Sequence, residues 1–330
     1  MSTLAPLLQA FFTDRLLQQR HASPHTITAY RDAFRLLLAF AQQTLGKAPS
    51  DLDLRDLDAP FIARFLSHLE AERGNGAATR NARLAAVHSF FRYVALREPA
   101  HAAVIQRVLA IPHKRAEKTL VAFLTRPEFE ALLASPDQAT VIGRRDHALL
   151  LLAIQTGLRV SELTQLRVED VRLDRSGAHV RCRGKGRKER VTPLTVQTAR
   201  VLRAWLKERA PSPTDPLFAS RRGDVMSRDA VERIAEKHRK SAATTCRSLK
   251  TKRVSPHVLR HTSAMLLLQA EVDRSVIALW LGHESVETTE IYLHADLSIK
   301  QRAIARTAPL RVGRKRYRPA DRLLAFLEAL

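Results

Sequence analysis

The sequence predicts a mostly helical protein with one small antiparallel sheet set into its second half. Two observations carry this: apolar residues recur at helical spacing through the first third, and between 168 and 194 the period shortens to β-branched segments parted by glycine turns. Leu4, Leu7, Leu8, Phe11, Phe12 and Leu16 open the first helix. Ser23 as cap and Pro24 in the first turn start the second, "SPHTITAYRDAFRLLLAF". Asp58 repeats that signal before "APFIARFLSHLEAERG", which Gly74 ends, and "AATRNARLAAVHSFFRYVALRE" follows and stops before Pro99. Four such helices make a small bundle over residues 1–110.

Residues 111–122 read as a linker, because a proline and mixed charges replace the apolar period in "IPHKRAEKTLV". Thr125 and Glu128 then form a T-x-x-E capping box that announces a second domain, 123–312. The apolar helix "RRDHALLLLAIQTG" is closed by Gly157; after "LRVSELTQL" come the strand candidates "VEDVRLD", "GAHVRCRG" and "KERVTPL". From Thr195 the chain returns to helices, broken by "APSPTDP", and "KSAATTCRSLKTKRVS" reads as a mobile polar loop. Residues 313–330 are a basic tail with a short terminal helix, and no internal repeat occurs.

Composition narrows the function. A chain of 330 residues with 55 Lys+Arg against 33 Asp+Glu carries a formal charge of +22, which makes a polyanion such as nucleic acid the expected partner. A ribosomal, membrane-surface or merely arginine-rich protein has the same signature. Two distant cysteines, Cys182 and Cys246, lack metal-ligand spacing and fit a reducing cytoplasm. The opening "MSTLAPLLQAFFTDRLL" lacks the basic leader of a signal peptide, and no stretch is apolar enough to span a bilayer, so the expectation is a cytoplasmic, nucleoid-associated protein with no membrane partner.

The chemistry concentrates in "SPHVLRHTSAMLLLQ". Ser255 and Pro256 start a helix, which puts His257 and Arg260 one turn apart beside free amides that attract anions. His257, His261 and His283 could alternatively hold a metal, but Val258 stands where a zinc hydrolase needs a glutamate, and His261 reads instead as a buried helix histidine bonded to backbone. Thr79, Arg80, Asn81 and Arg83, opening the fourth helix, suit phosphates and base edges, or a solvated helix face. Of 4 tyrosines, Tyr30 and Tyr93 lie in the helical bundle, and Tyr292 and Tyr317 lie beyond it.

Taken together, "TGLRVSEL" at 156–163, "GKGRKERVTPL" at 184–194, "HVLRH" at 257–261, "LGH" at 281–283 and Tyr292 resemble the tyrosine recombinases, or phage integrases, most nearly the Xer-like and transposon-borne branch. The resemblance covers nearly the whole chain and implies an N-terminal four-helix SAM-like core-binding domain and an α+β catalytic domain. It implies cleavage and rejoining of DNA through a covalent 3′-phosphotyrosyl intermediate, with no cofactor, ATP or metal. In that scheme Arg159 and Arg260 clamp the non-bridging oxygens, Tyr292 attacks phosphorus, His257 takes its proton or bonds a phosphoryl oxygen, and His283 donates to the same phosphate. Lys185, in the "GKG" hairpin, is the expected general acid, or merely a phosphate contact, and Glu162 holds Arg159 or a histidine in place.

Tyr292 is favoured over Tyr317 because "TTEIYLH" follows "LGH" at the family spacing. One departure is Glu271, where the family usually has a turn glycine. The implied partners are double-stranded DNA with paired recombination sites, a homo- or hetero-tetramer on that DNA, and accessory recombinases. The apolar stripe Leu323, Leu324, Phe326, Leu327 and Leu330 either covers its own core or docks on a neighbouring protomer. A type IB topoisomerase-like relaxing enzyme and a catalytically silent DNA-binding protein are the alternative functions.

Overall fold

The computed structural model describes residues 3–115, 121–174, 177–184, 189–283, 289 and 292. The sequence-based expectations for Lys185, for residues 284–288, for Tyr317 and for the C-terminal stripe lie outside them. The chain divides into two compact units, Met1–Lys118 and Thr119–Leu330.

In the first unit α1 (Leu4–Ala10) runs on as π-helical turns over Phe11–Gln19, followed by α2 (Pro24–Leu45), α3 (Ala59–Ala71) and α4 (Ala77–Ala95). The caps named from sequence are present: Ser23 Oγ accepts from the Thr26 amide at 3.2 Å and Asp58 from Phe61 at 2.8 Å. A further helix, α5 (Ala102–Leu109), was not anticipated from the sequence. It is too short for a clear period, and the burial of Ile105 and Val108 against the bundle is what holds it. Phe11, Phe34 and Phe90 fill the centre edge to face, the last two with ring centroids 5.4 Å apart.

The second unit opens with α6 (Arg126–Ala134), whose capping box forms as expected, the Thr125 amide donating to Glu128 at 2.8 Å. Next come α7 (Val141–Thr156), α8 (Val160–Gln165) and strands β1 (Val171–Arg172), β2 (His179–Arg183) and β3 (Glu189–Pro193). The strands form an antiparallel sheet in the order β1-β2-β3. Helices α9 (Val196–Arg209), α10 (Arg228–Ala242), α11 (Pro256–Gln269) and α12 (Arg274–Leu281) complete the described part. Helix α7 is the axis of the core: Leu149, Leu150, Leu152 and Ile154 are buried in one cluster with Leu202, Trp205, Leu217 and Leu259.

The stretch read as a mobile polar loop is instead ordered. Residues to Ala242 finish α10, and Arg247–Lys250 form a 3-10 turn with Ala242, Ala243 and Leu249 buried. Glu128 anchors it, accepting from Ser248 at 2.6 Å and from Lys252 at 2.7 Å. Burial raises the carboxyl's pKa, but the bonds from Lys252 and Ser248 outweigh it and hold Glu128 ionised below the usual range. The few apolar residues, diluted in a polar composition, hid this packing.

At the α11–α12 turn Glu271 has φ +61°, the left-handed conformation that glycine adopts without strain. Glu271 thus takes the conformation that suits the glycine expected there from the resemblance.

Candidate active site

Two glycine turns bring the arginines together. Gly157 closes α7 at φ +62° and Gly282 closes α12 at φ +66°. Gly157 is needed for space as well, since a Cβ there would lie 2.6 Å from Leu281 Cδ2 and 2.9 Å from Ser263 Oγ. The carbonyls at these helix ends face inward and carry partial negative charge. Arg260, on α11 and 5% exposed, donates to Gly157 O at 2.6 Å and to Leu281 O at 2.8 Å. Arg159 donates to Gly282 O at 2.8 Å. Burial, and then the charge of Arg159, push the Arg260 pKa down to about 10, which still leaves it a cation at neutral pH.

Glu162 stands one turn beyond Arg159, as the sequence required. Its carboxylate accepts from the Arg159 backbone amide at 2.7 Å and from Arg159 Nη1 at 2.9 Å, so the arginine is both cap and ion-pair partner. A further arginine, Arg190 on β3, donates to both Glu162 oxygens at 2.9 and 2.8 Å. Burial lifts the Glu162 pKa and the bonds from Arg190 and Arg159 more than reverse it, so the carboxylate stays charged. Arg190 was missed from sequence. In the structure Val191 is 58% exposed and its neighbours Arg190 and Thr192 turn inward. The signal lay across the hairpin: Arg190 pairs with buried Cys182 and Thr192 with buried Val180, and paired residues share a face.

The histidines and the tyrosine form a second cluster. The Tyr292 hydroxyl and His261 Nδ1 share a hydrogen bond of 3.1 Å, their rings edge to face at 5.6 Å. This corrects the reading of His261 as bonded to backbone: its Nδ1 has a side-chain partner. His257 lies 6.4 Å from His261, and His283 stacks at 6.4 Å on Tyr292 while Nδ1 shares a hydrogen bond with Thr289 Oγ1 at 2.9 Å. Burial, then neighbouring positive groups, push the pKa of both His261 and His283 to about 4. His257 is shifted in the same direction, by desolvation and by the charges of Arg228 and Arg260, so all three imidazoles are neutral at pH 7. Tyr292 is 1% exposed; burial raises its pKa, while Arg260 and Arg159 pull against that rise. Among the described residues no group of three or more His, Cys, Asp or Glu side chains is placed to hold a metal ion.

Three of the four residues singled out at the start of α4 are bonded to backbone elsewhere in the first unit. Arg80 donates to Pro112 O at 3.1 Å, and Asn81 both donates to Lys114 O at 2.7 Å and accepts from the Lys114 amide at 2.9 Å. Arg83 donates to Ala29 O at 3.0 Å. These three side chains are half-buried stitches between backbone segments, and Thr79 is exposed.

Comparison with known proteins gives a consistent picture. The sequence model of the phage integrase family matches residues 122–298, and that of the phage integrase N-terminal SAM-like domain matches 10–98. A Sinorhizobium fredii protein named as an integrase/recombinase, y4rC, is 56% identical over 329 residues, covering 100% of this chain and 99% of its own length. Tyrosine recombinase XerC of Pelobacter propionicus is 34% identical over 297 residues, covering 89% of this chain and 93% of its own. Among solved structures, a XerH site-specific recombinase bound to palindromic difH substrate in a post-cleavage complex superposes with a TM-score of 0.69 at 25% identity, over 87% of this chain and 81% of that one. A Tn1549 transposon integrase in complex with a circular intermediate DNA shares the fold, with a TM-score of 0.69 at 16% identity over 93% of this chain and 100% of that one.

Proposed function

The chain belongs to the phage integrase family of tyrosine recombinases, and on that premise we propose that it cuts and rejoins duplex DNA at paired sites through a 3′-phosphotyrosyl bond to Tyr292. The observation that carries this is the seating of Arg159 and Arg260 on the carbonyls of Gly282, Gly157 and Leu281. Each guanidinium is held by the fold yet keeps further N–H groups for a phosphate. Attack on a phosphodiester adds charge to its non-bridging oxygens, and two fixed forks stabilise that charge without reorganising.

The remaining roles follow from protonation. Tyr292 must give up its proton as it attacks, and a neutral His257 is able to accept it. His283 donates to the phosphate from the Gly282 turn, and Lys185 protonates the departing 5′-oxygen. The tyrosyl ester keeps the energy of the broken bond, so the 5′-hydroxyl of a second strand reverses the step without ATP or a metal ion. The proposed partner is double-stranded DNA, a reading supported by the XerH recombinase bound to its difH substrate, and exchange between two sites requires a tetramer. We favour an element-borne integrase, in keeping with the basic tail at 311–318 and Glu271 in the turn. With Arg80, Asn81 and Arg83 engaged in the bundle, Thr79 remains as the groove contact at the start of α4.

A nicked duplex whose cleaved end diffuses away should trap the covalent adduct. The expected result is a Tyr292-linked species that resists EDTA; no adduct with any duplex carrying the element's own ends, or an adduct surviving Tyr292→Phe, sinks the reading.

A further inference from the structure

We propose that Arg190 is a positioning residue for strand cleavage: it locks the Glu162 carboxylate in the orientation that aims Arg159, and it props the Gly282 turn that carries His283. The inference deepens the recombinase reading and rests on it for its kinetic test.

Three contacts support it. Glu162 is tied to Arg159 at both carboxylate oxygens, Oε2 accepting from the backbone amide at 2.7 Å and Oε1 from Nη1 at 2.9 Å. Arg190 adds a second donor to each of those oxygens with a planar fork from β3, at 2.9 and 2.8 Å, a geometry an ammonium cannot reproduce, and so braces the carboxylate from the sheet side. Its other face lies on Gly282, where a Cβ would come within 2.5 Å of Arg190 Nη1. The carbonyl of that same glycine accepts the second tether of Arg159, at 2.8 Å. Arg190 therefore touches both points from which Arg159 hangs, while its own side chain, 12% exposed, is buried too deeply to serve as a general surface cation.

Charge adds a second reason. Glu162 alone would neutralise Arg159 and weaken its pull on a phosphate. Two arginines on one carboxylate leave a net positive charge at the site, so Arg159 is held without being cancelled. Arg190 also sits at the start of β3, directly after the stretch that contains Lys185.

The test compares R190A, R190K, E162Q and the double variant E162Q/R190A with wild type, using single-turnover adduct formation on the nicked duplex at saturating protein, and duplex affinity measured separately. A displaced clamp predicts adduct formation about 100-fold slower in R190A with affinity little changed, and an intermediate rate in R190K. Because the two residues act as a unit, the double variant should be no slower than the slower single one. V191T, altered on the exposed face of the same strand, should match wild type. A wild-type rate in R190K or R190A, a defect that lies wholly in affinity, or losses that multiply in the double variant would overturn the proposal. If R190A does not fold, R190K carries the same test. The crystal structure of R190K gives an answer independent of DNA cleavage: Arg159 should leave the Gly282 carbonyl, and an Arg159 unmoved on both tethers refutes positioning. Wild-type protein that forms no adduct would defeat the recombinase reading while leaving this structural readout intact.

Discussion

Arg260 and Tyr292 are almost equally buried, yet burial means opposite things for them. The arginine is held by two helix-end carbonyls and points a prebuilt charge at the site. The tyrosine is held by one hydrogen bond to an imidazole with a depressed pKa, and packs with Ala264, Met265, Leu268, Ile277 and Leu281 of the α11–α12 hairpin. The difference teaches that, in the proposed reaction, the electrostatic half of the machinery is assembled in the free protein, whereas the phenol, 1% exposed, is stored and has to come out before it attacks.

The sharpest way to break this contrast is to remove each half in turn. Tyr292→Phe should abolish the adduct completely and leave DNA affinity intact, while Arg260→Lys, which cannot bridge two carbonyls and a phosphate, should slow adduct formation by about 10²–10³-fold. Equal adduct rates in wild type and Arg260→Lys would mean that the prebuilt charge does not act on the reaction. Next in size is Gly157→Ala. With Leu281 and Ser263 in the way and φ at +62°, it should cost about 2–3 kcal/mol of stability, read by denaturant unfolding, and take the cradle with it.

His261→Leu probes the other side. It leaves the stored phenol buried without a partner, a penalty of about 1–3 kcal/mol on the stored state. Adduct formation should then rise several-fold; a fall would assign His261 to the reaction itself. A pH effect accompanies it. His261 and His283 have folded pKa values near 4, below the ordinary 6.5, so the unfolded chain binds more protons between those values. Stability is therefore fully present above pH 6.5 and lost as pH falls towards 4. Replacing both histidines by Phe should make the thermal unfolding profile shallower between pH 6.5 and 5.5, above the onset of the depressed carboxylates Glu128, Asp146 and Glu162, and the slope that remains belongs to His88 and His257, which are shifted the same way. The smallest effect belongs to Glu271→Gly, which relieves a left-handed non-glycine residue and should raise stability by about 1 kcal/mol; an unchanged melting temperature would show that contacts of Glu271 offset its strain.

Much of this was legible in the chain. Caps at Ser23, Asp58, Thr125 and Ser255 and glycine stops at 157 and 282 are local signals, and each works in the structure through bonds within a few residues. Where reading failed, the deciding contact was distant. The stretch after Ala242 looked mobile because nothing nearby announces that Ser248 and Lys252 will reach Glu128. Arg80 and Asn81 looked free for DNA because their partners, Pro112 and Lys114, lie about thirty residues on.

The sequence by itself determined which side chains the proposed chemistry has to draw on, because the types and order of Arg159, Glu162, His257, Arg260, His283 and Tyr292 are covalent facts, and helix starts and stops follow from neighbouring residues. Only the tertiary structure decided which face of β3 turns inward, and so that Arg190 joins Glu162, and that His261 rather than solvent meets the Tyr292 hydroxyl. Those outcomes depend on strand register and on desolvation, which are set by residues far apart in sequence and come into being only when the chain packs.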